Sequence, residues 1–421
     1  MDTKKRFVKN ISVLISLILA FVLLVGCVGF LDAYTERITP HEAPPYIPQP
    51  TEQIVVSTYD EFVSVILQLI MGHEREAQIQ FHYHDDDDIQ NEIERARNEI
   101  LNEHPIGAFA LADITMEAAR IVTHYEIDVV IDYTRTEEEI NSITNIVTQH
   151  HIMTHLLSIM SGYNSETVIR TRLPITVYDI NSFVRDVYYQ NPRRIVMLPF
   201  VSVEVYPQDA YSQDAYSHVG ADRIFEIHFE YTAVNANMLP DMSDELAYNI
   251  QRSAELVDGS TDSERLLSLV NVLIESVAFD DAAPVHSHGA QNWAATAFGA
   301  LIHGSAVGEG FAMAFQAIAD ELGLDSRIVL GYFEGRVHAW NIVYLYGYFY
   351  HIDVAMARVN GIETAILKRD VDFEEMRYEW DRENTVRCEG ELTLEDIMDP
   401  LIYDEPDDID ENGESNNEDE G

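Results

Sequence analysis

The chain has 421 residues, 47% of them apolar, which allows two or three domains with sizeable cores and excludes a wholly disordered protein. Its 73 acidic against 26 basic side chains give a formal net charge of −47, a field that repels phosphates and anionic headgroups, so no nucleic acid and no peripheral lipid is expected as a partner. Two cysteines, Cys27 and Cys388, supply neither a disulfide framework nor a Cys-rich zinc cluster; no metal and no cofactor is expected.

The first stretch is an address. Lys4, Lys5, Arg6 and Lys9 precede an apolar run from Ile11 to Phe30, the pattern of a secretory signal. Within it, Leu24-Val25-Gly26-Cys27 resembles the lipobox of bacterial lipoproteins. That resemblance implies cleavage before Cys27 and a diacylglycerol on its thiol. Residues 1–27 are therefore assigned as signal peptide with Cys27 as the lipid attachment point. An uncleaved anchor is the alternative, because the run approaches the ~20 residues that span a bilayer. Both place the rest of the chain on the extracellular face of the cell membrane. Residues 28–52 are expected to be a tether, since five prolines between Thr39 and Pro50 favour an extended spacer. Residues 404–421 are mostly Asp, Glu, Asn and Gly, too polar to bury, and are expected to be disordered.

Two α+β modules are expected next, over 53–165 and 166–258. Thr58-Tyr59-Asp60-Glu61-Phe62 and Val177-Tyr178-Asp179-Ile180 each open a segment of helical spacing, followed by strands over 77–83 and 194–206. Each segment later reaches a longer alternating strand ending in Tyr-Thr, over 125–134 and 224–232, then a helix. The first of these helices starts at Thr136 with Glu139 three residues on, a capping box; the second is expected from about Ser243 to Glu255. The two segments read as a diverged repeat with a period of about 100–120 residues, the first copy carrying an extra helix over 89–101. Two clusters have metal-ligand residue types: His82-Tyr83-His84 before Asp85–Asp88, and His151 with His155. Neither has a full ligand pattern, and both are assigned to loop and helix surface. The near-duplicated Tyr206–Tyr211 and Tyr211–Tyr216 form a polar hairpin loop.

Residues 259–403 carry the chemistry. Thr261-Asp262-Ser263-Glu264 caps a helix that runs to Val277. Trp293–Leu301 leads into Gly304-Ser305-Ala306-Val307-Gly308-Glu309-Gly310-Phe311-Ala312 and a helix over 311–322. A strand over 326–331 follows, then Val337-His338-Ala339-Trp340-Asn341 and Tyr350-His351-Ile352-Asp353 on two antiparallel strands joined at Tyr346-Gly347. These three motifs, in this order, resemble the transglutaminase-like superfamily. The resemblance covers roughly 140 residues and implies an α+β fold: a papain-like domain, a helix packed on an antiparallel sheet, preceded by one or two small α+β modules. It also implies a Cys–His–Asp triad. A thiolate at a helix N-terminus is stabilised by the backbone dipoles, a histidine shares its proton, and an aspartate fixes the imidazole.

By position, His338 takes the base role and Asp353 the orienting role. The nucleophile position holds Gly308, where the family pattern has Cys-Glu-Gly-Tyr. Val354 also stands where the family often has Trp. The resemblance thus implies a retained scaffold without acyl-transfer chemistry, a pseudoenzyme whose cleft binds peptide or cell-wall polymer. Glu309, Tyr332, Phe333, Trp340 and Asn341 are its candidate binding and supporting residues. The alternative is an active peptidase, amidase or acyltransferase with a relocated nucleophile, Cys388 or Ser305, or with Glu309 acting on water.

Overall fold

Helix caps and apolar spacing set the elements of the first sheet. In this computed structural model, residues 53–82, 89–208, 221–232, 234–283, 287–289 and 291–398 are described. Cys27, the tether, the tail, the run His84–Asp88, most of the 206–216 loop and His286 lie outside them. Strand β1 (Ile54–Val56) leads into α1 (Tyr59–Met71), where the Thr58 side chain accepts from the Glu61 amide and the Glu61 carboxylate accepts from the Ser57 amide. Phe62, Ile66, Leu69 and Ile70 then fall on one buried face. Strand β2 (Glu76–Phe81), helices α2 (Ile89–Asn98) and α3 (Pro105–Ala110), and strands β3 (Leu111–Arg120) and β4 (Tyr125–Tyr133) follow. The sheet order is β1-β2-β4-β3, with β1 parallel to β2 and β4 antiparallel to it.

After α4 (Glu137–Asn141), which opens with the expected Thr136–Glu139 capping box, the same order returns. Strand β5 (Thr144–Ile146), α5 (Gln149–Ser161), β6 (Glu166–Thr171), α6 (Val177–Gln190), β7 (Phe200–Tyr206) and β8 (Arg223–Glu230) form a sheet ordered β5-β6-β8-β7. Each early element lies 90 positions before its counterpart: 54 and 144, 59 and 149, 76 and 166. Even the positive-φ residue that ends each helix repeats, His73 and Tyr163.

The two sheets thus share one strand order, with early elements offset by 90 residues where a period of about 100–120 was expected. The second copy draws its strands from both sides of residue 166. Thr58-Tyr59-Asp60 and Thr176-Val177-Tyr178-Asp179 are alike because each caps a helix, and those helices hold different places in their copies. Strand β7 also starts at Phe200 rather than Arg194.

The described residues divide into two compact units: 53–82 with 116–130, and 89–115 with 131–398. In the second unit α7 (Leu239–Ala254), α8 (Asp262–Ser276, capped by Thr261 and Glu264), β9 (Ala278–Phe279) and β10 (Ser305–Ala306) precede α9 (Gly308–Leu322). Then come β11 (Ser326–Phe333), β12 (Arg336–Leu345), β13 (Tyr348–Ile352), α10 (Val354–Asn360), β14 (Ile366–Lys368), α11 (Asp370–Glu375), β15 (Tyr378–Trp380) and α12 (Leu394–Met398). Strands β11 to β15 form an antiparallel sheet ordered β14-β13-β12-β11-β15, with the β12–β13 turn at Tyr346-Gly347, both at positive φ. The fold is α+β. Helix α9 is buried over Gly308–Ala319, with Glu309 and Gln316 as its polar members, because the sheet covers one side and α7 and α8 cover others. One continuous core runs from Ile146 to Leu392, so the second repeat copy and the C-terminal sheet share their interior. Among the described residues no helix is long and apolar enough to cross a membrane.

Candidate functional site

The site forms where the first turn of α9 meets β12 and the end of β13. Val307 is extended, donates its amide to Ala294 O at 2.8 Å, and starts the helix with no side-chain cap. The chain approaches Ala294 so closely that a Cβ on Gly310 would lie 2.2 Å from its carbonyl oxygen; only glycine fits there.

His338 stands on β12 opposite Gly331 of β11. Its Nε2 donates to Asp353 Oδ2 at 2.5 Å. Asp353, 1% exposed, lies between β13 and α10 and caps that helix, Oδ1 accepting from the Met356 amide at 2.9 Å. Tyr378 of β15 donates its hydroxyl to Asp353 Oδ2 at 2.8 Å. Burial works to raise the Asp353 carboxyl, but the His338 charge and hydrogen bond, with the Met356 and Tyr378 donors, hold it below its ordinary range. The imidazole is thus oriented by a charged carboxylate, and its other nitrogen, Nδ1, is turned to Gly308. A Cβ at Gly308 would lie 2.3 Å from both Nδ1 and Cε1. The ring occupies the space that a side chain at position 308 needs.

The remaining candidate residues divide by burial. Tyr332 is 46% exposed and Phe333 half-buried, its ring 6.0 Å from that of His338. Trp340 and Asn341 are buried. Trp340 stacks near His338 at 6.2 Å, and Asn341 donates to Ala312 O at 3.1 Å, tying β12 to α9. They support the site from behind, so the expectation that Trp340 lines an open cleft is corrected: its ring is enclosed by Phe373, Tyr378 and Trp380.

Glu309 is 2% exposed and reaches Tyr189 of the second repeat copy. Its Oε1 accepts from the Tyr189 hydroxyl of α6 at 2.7 Å and from the Gly289 amide at 3.0 Å. Burial pushes its carboxyl up to about 7 against those two donors.

Among the described residues no hydrogen bond joins Ser305 or Cys388 to the His338 imidazole. Ser305 is held on β10, paired with Ala278. Cys388 is fully buried among Val329, Trp340, Ile342, Phe373 and Tyr378, and burial, with Asp370 nearby, pushes its thiol far up. A relocated cysteine nucleophile is thereby corrected. Cys388 instead joins His351 and Asp370 in a buried cluster whose ligand-type atoms lie within 4.8 Å of one another. This is not an open metal site. Trp340 Nε1–H donates to His351 Nδ1 at 2.9 Å, so the ring proton sits on Nε2 and goes to Asp370 at 3.0 Å. Both nitrogens are committed, and a metal would have to break one of these bonds. His155 is likewise committed, hydrogen-bonded to Thr167 at 2.8 Å, while His151 is exposed on α5. His82 stacks on His124 at 5.1 Å.

Sequence reasoning missed Tyr378, Tyr189 and His288. Tyr378 falls beyond the last motif. Tyr189 is 120 residues from the carboxylate it touches, and no local pattern marks such a contact.

No curated protein matches the chain. Among solved structures, the chain is similar to one described as a TGase, at 12% identity and TM-score 0.24, covering 72% of this chain. It spans 58% of that TGase. It is also similar to a candidate cysteine protease from Cytophaga hutchinsonii, at 13% identity and TM-score 0.23, covering 40% of this chain and 68% of that one. The assignment rests on the family model described as the transglutaminase-like superfamily, which matches residues 250–354 and so contains Gly308, His338 and Asp353. Residues 250–354 thus match a transglutaminase-like domain.

Proposed function

We propose that this chain is a cell-envelope lipoprotein whose transglutaminase-like domain binds peptide or cell-wall polymer without processing it. The observation that carries the reading is the imidazole of His338 lying where a side chain at position 308 would be, 2.3 Å from its Cβ. Acyl transfer through a papain-type triad needs a thiolate there, and glycine offers none. What supports binding is the surrounding surface: Tyr332 is exposed and Phe333 half-buried beside His338, and aromatic rings give an extended strand contact area. The lipoprotein part of the reading is supported by the basic segment, the apolar run and Cys27.

The test is direct. Purified full-length chain is incubated with peptide amides and with cell-wall fragments, with and without a primary amine. No hydrolysis and no transamidation is expected, while Tyr332→Ala weakens retention on cell-wall material. Turnover that disappears in His338→Ala overturns the reading. In Gly308→Cys the ring must withdraw, and the new thiol, paired with His338 at a helix N-terminus, is expected to react with iodoacetamide at pH 7 at least about 10-fold faster than free cysteine. Loss of that advantage on adding His338→Ala confirms the pairing; its absence in Gly308→Cys itself counts against this placement of His338.

A further inference from the structure

Two buried polar atoms beside the site face each other with no hydrogen-bond partner among the described residues. They are Glu309 Oε2 and His288 Nδ1, 3.9 Å apart. The opposite ring nitrogen, His288 Nε2, lies 3.0 Å from Gly331 O, which only accepts, so it carries a proton. That leaves Nδ1 of the neutral ring as an acceptor. An ionised Glu309 is also acceptor-only. Two acceptors that are shielded from water and aimed at each other need a donor between them.

The geometry points to a single proton shared by Glu309 and His288, whose loss forces His288 to give up its bond to β11 beside His338. With the proton in place, closing the 3.9 Å gap to hydrogen-bond distance lets the carboxyl O–H serve Nδ1 while Nε2–H serves Gly331 O, and every group is then satisfied. With it removed, the neutral ring has one N–H for two acceptors. The buried carboxylate is the costlier one to leave bare, so the ring proton moves to Nδ1 and the Gly331 bond breaks. Gly331 is the cross-strand partner of His338, so the tie lies next to the imidazole.

The groups facing the pair agree with this assignment. From α6, Tyr189 donates to Glu309 Oε1, Tyr188 is buried near the carboxylate, and Arg185 disfavours a charged His288. From β12, His338 disfavours it as well. From β11, the Tyr332 ring meets the His288 ring edge-on at 6.2 Å. The Gly289 amide is the other donor to Glu309. Burial itself pushes His288 down and Glu309 up, which puts the proton on the carboxyl.

The test is a long-range imidazole 15N spectrum of the full-length chain between pH 5 and 9, with the His288 signals assigned by His288→Gln. Wild type is expected to show the Nε2–H tautomer at the acidic end and Nδ1–H at the alkaline end. Glu309→Gln, whose amide N–H serves Nδ1 at every pH, is expected to hold Nε2–H throughout. Tyr189→Phe removes a donor that favours the ionised carboxylate and is expected to move the wild-type transition up by about 1 pH unit. One unchanged tautomer across the range in wild type, which is what a bridging water would give, overturns the inference. So does a Glu309→Gln chain that switches as wild type does, or an unmoved transition in Tyr189→Phe.

Discussion

The C-terminal part of the second unit carries two histidine–aspartate pairs, and they have opposite surroundings. His338–Asp353 has one ring nitrogen on the carboxylate and the other turned to the helix start at Gly308. His351–Asp370 has both ring nitrogens used, by Asp370 and by Trp340, and its imidazole is fully buried. The cysteine sits beside the second pair, with its backbone amide on Asp370 at 3.1 Å. The pair with a nitrogen to spare has no thiol, and the thiol lies beside a pair with nothing to spare. Residue type alone would have suggested a Cys–His–Asp set at Cys388; what makes chemistry possible is an uncommitted nitrogen facing a reachable atom.

The contrast breaks first on stability. His351→Ala leaves the Trp340 N–H buried with no acceptor and a cavity where a fully buried ring stood, although Asp370 keeps the Cys388 amide and Arg382, and is expected to cost about 3–5 kcal/mol in denaturant unfolding. His338→Ala leaves Asp353 with two other donors and is expected to cost about 1–2 kcal/mol. Equal costs would erase the distinction between a structural pair and a site pair. The next effect is on pH. A carboxyl raised in the folded state keeps its proton after the unfolded chain has lost it. The Glu309 contribution is therefore complete below about pH 4.5 and is lost as the pH rises to about 7. Relative to Glu309→Gln, wild type is expected to lose about 3 kcal/mol between pH 4.5 and 8, measured as the difference of two unfolding series. The smallest is Tyr378→Phe. It removes one of three donors from Asp353, is expected to cost about 1 kcal/mol, and sharpens the comparison because Asp370 has no equivalent tyrosine bond.

Much of this was legible in the sequence where the signal is local. The Thr136 and Thr261 capping boxes, the alternation of β4 and β8, and the turn at Tyr346-Gly347 all stand where spacing and turn chemistry put them. So does the pairing of His338 with Asp353, which came from motif order. The repeat was legible as topology but not in register, because a helix cap resembles any other helix cap; Thr58 and Thr176 drew together two helices with different places in their copies. The parts that needed coordinates are long-range. Tyr189 on Glu309 and Tyr378 on Asp353 join residues that no window spans. The depth of Cys388 depends on a sheet face whose members come from β11, β12, α11 and β15.

The interior shared between Ile146 and Leu392 has a practical corollary for anyone trimming this protein. A fragment cut at the family boundaries, 250–354, would remove most of α7 from α9, take Tyr189 from Glu309, and lose β14 and β15, exposing buried apolar surface to solvent. Such a piece should come out of cells as aggregate, whereas one ending near 398 and beginning no later than residue 89, which keeps both parts of the second unit, should stay soluble.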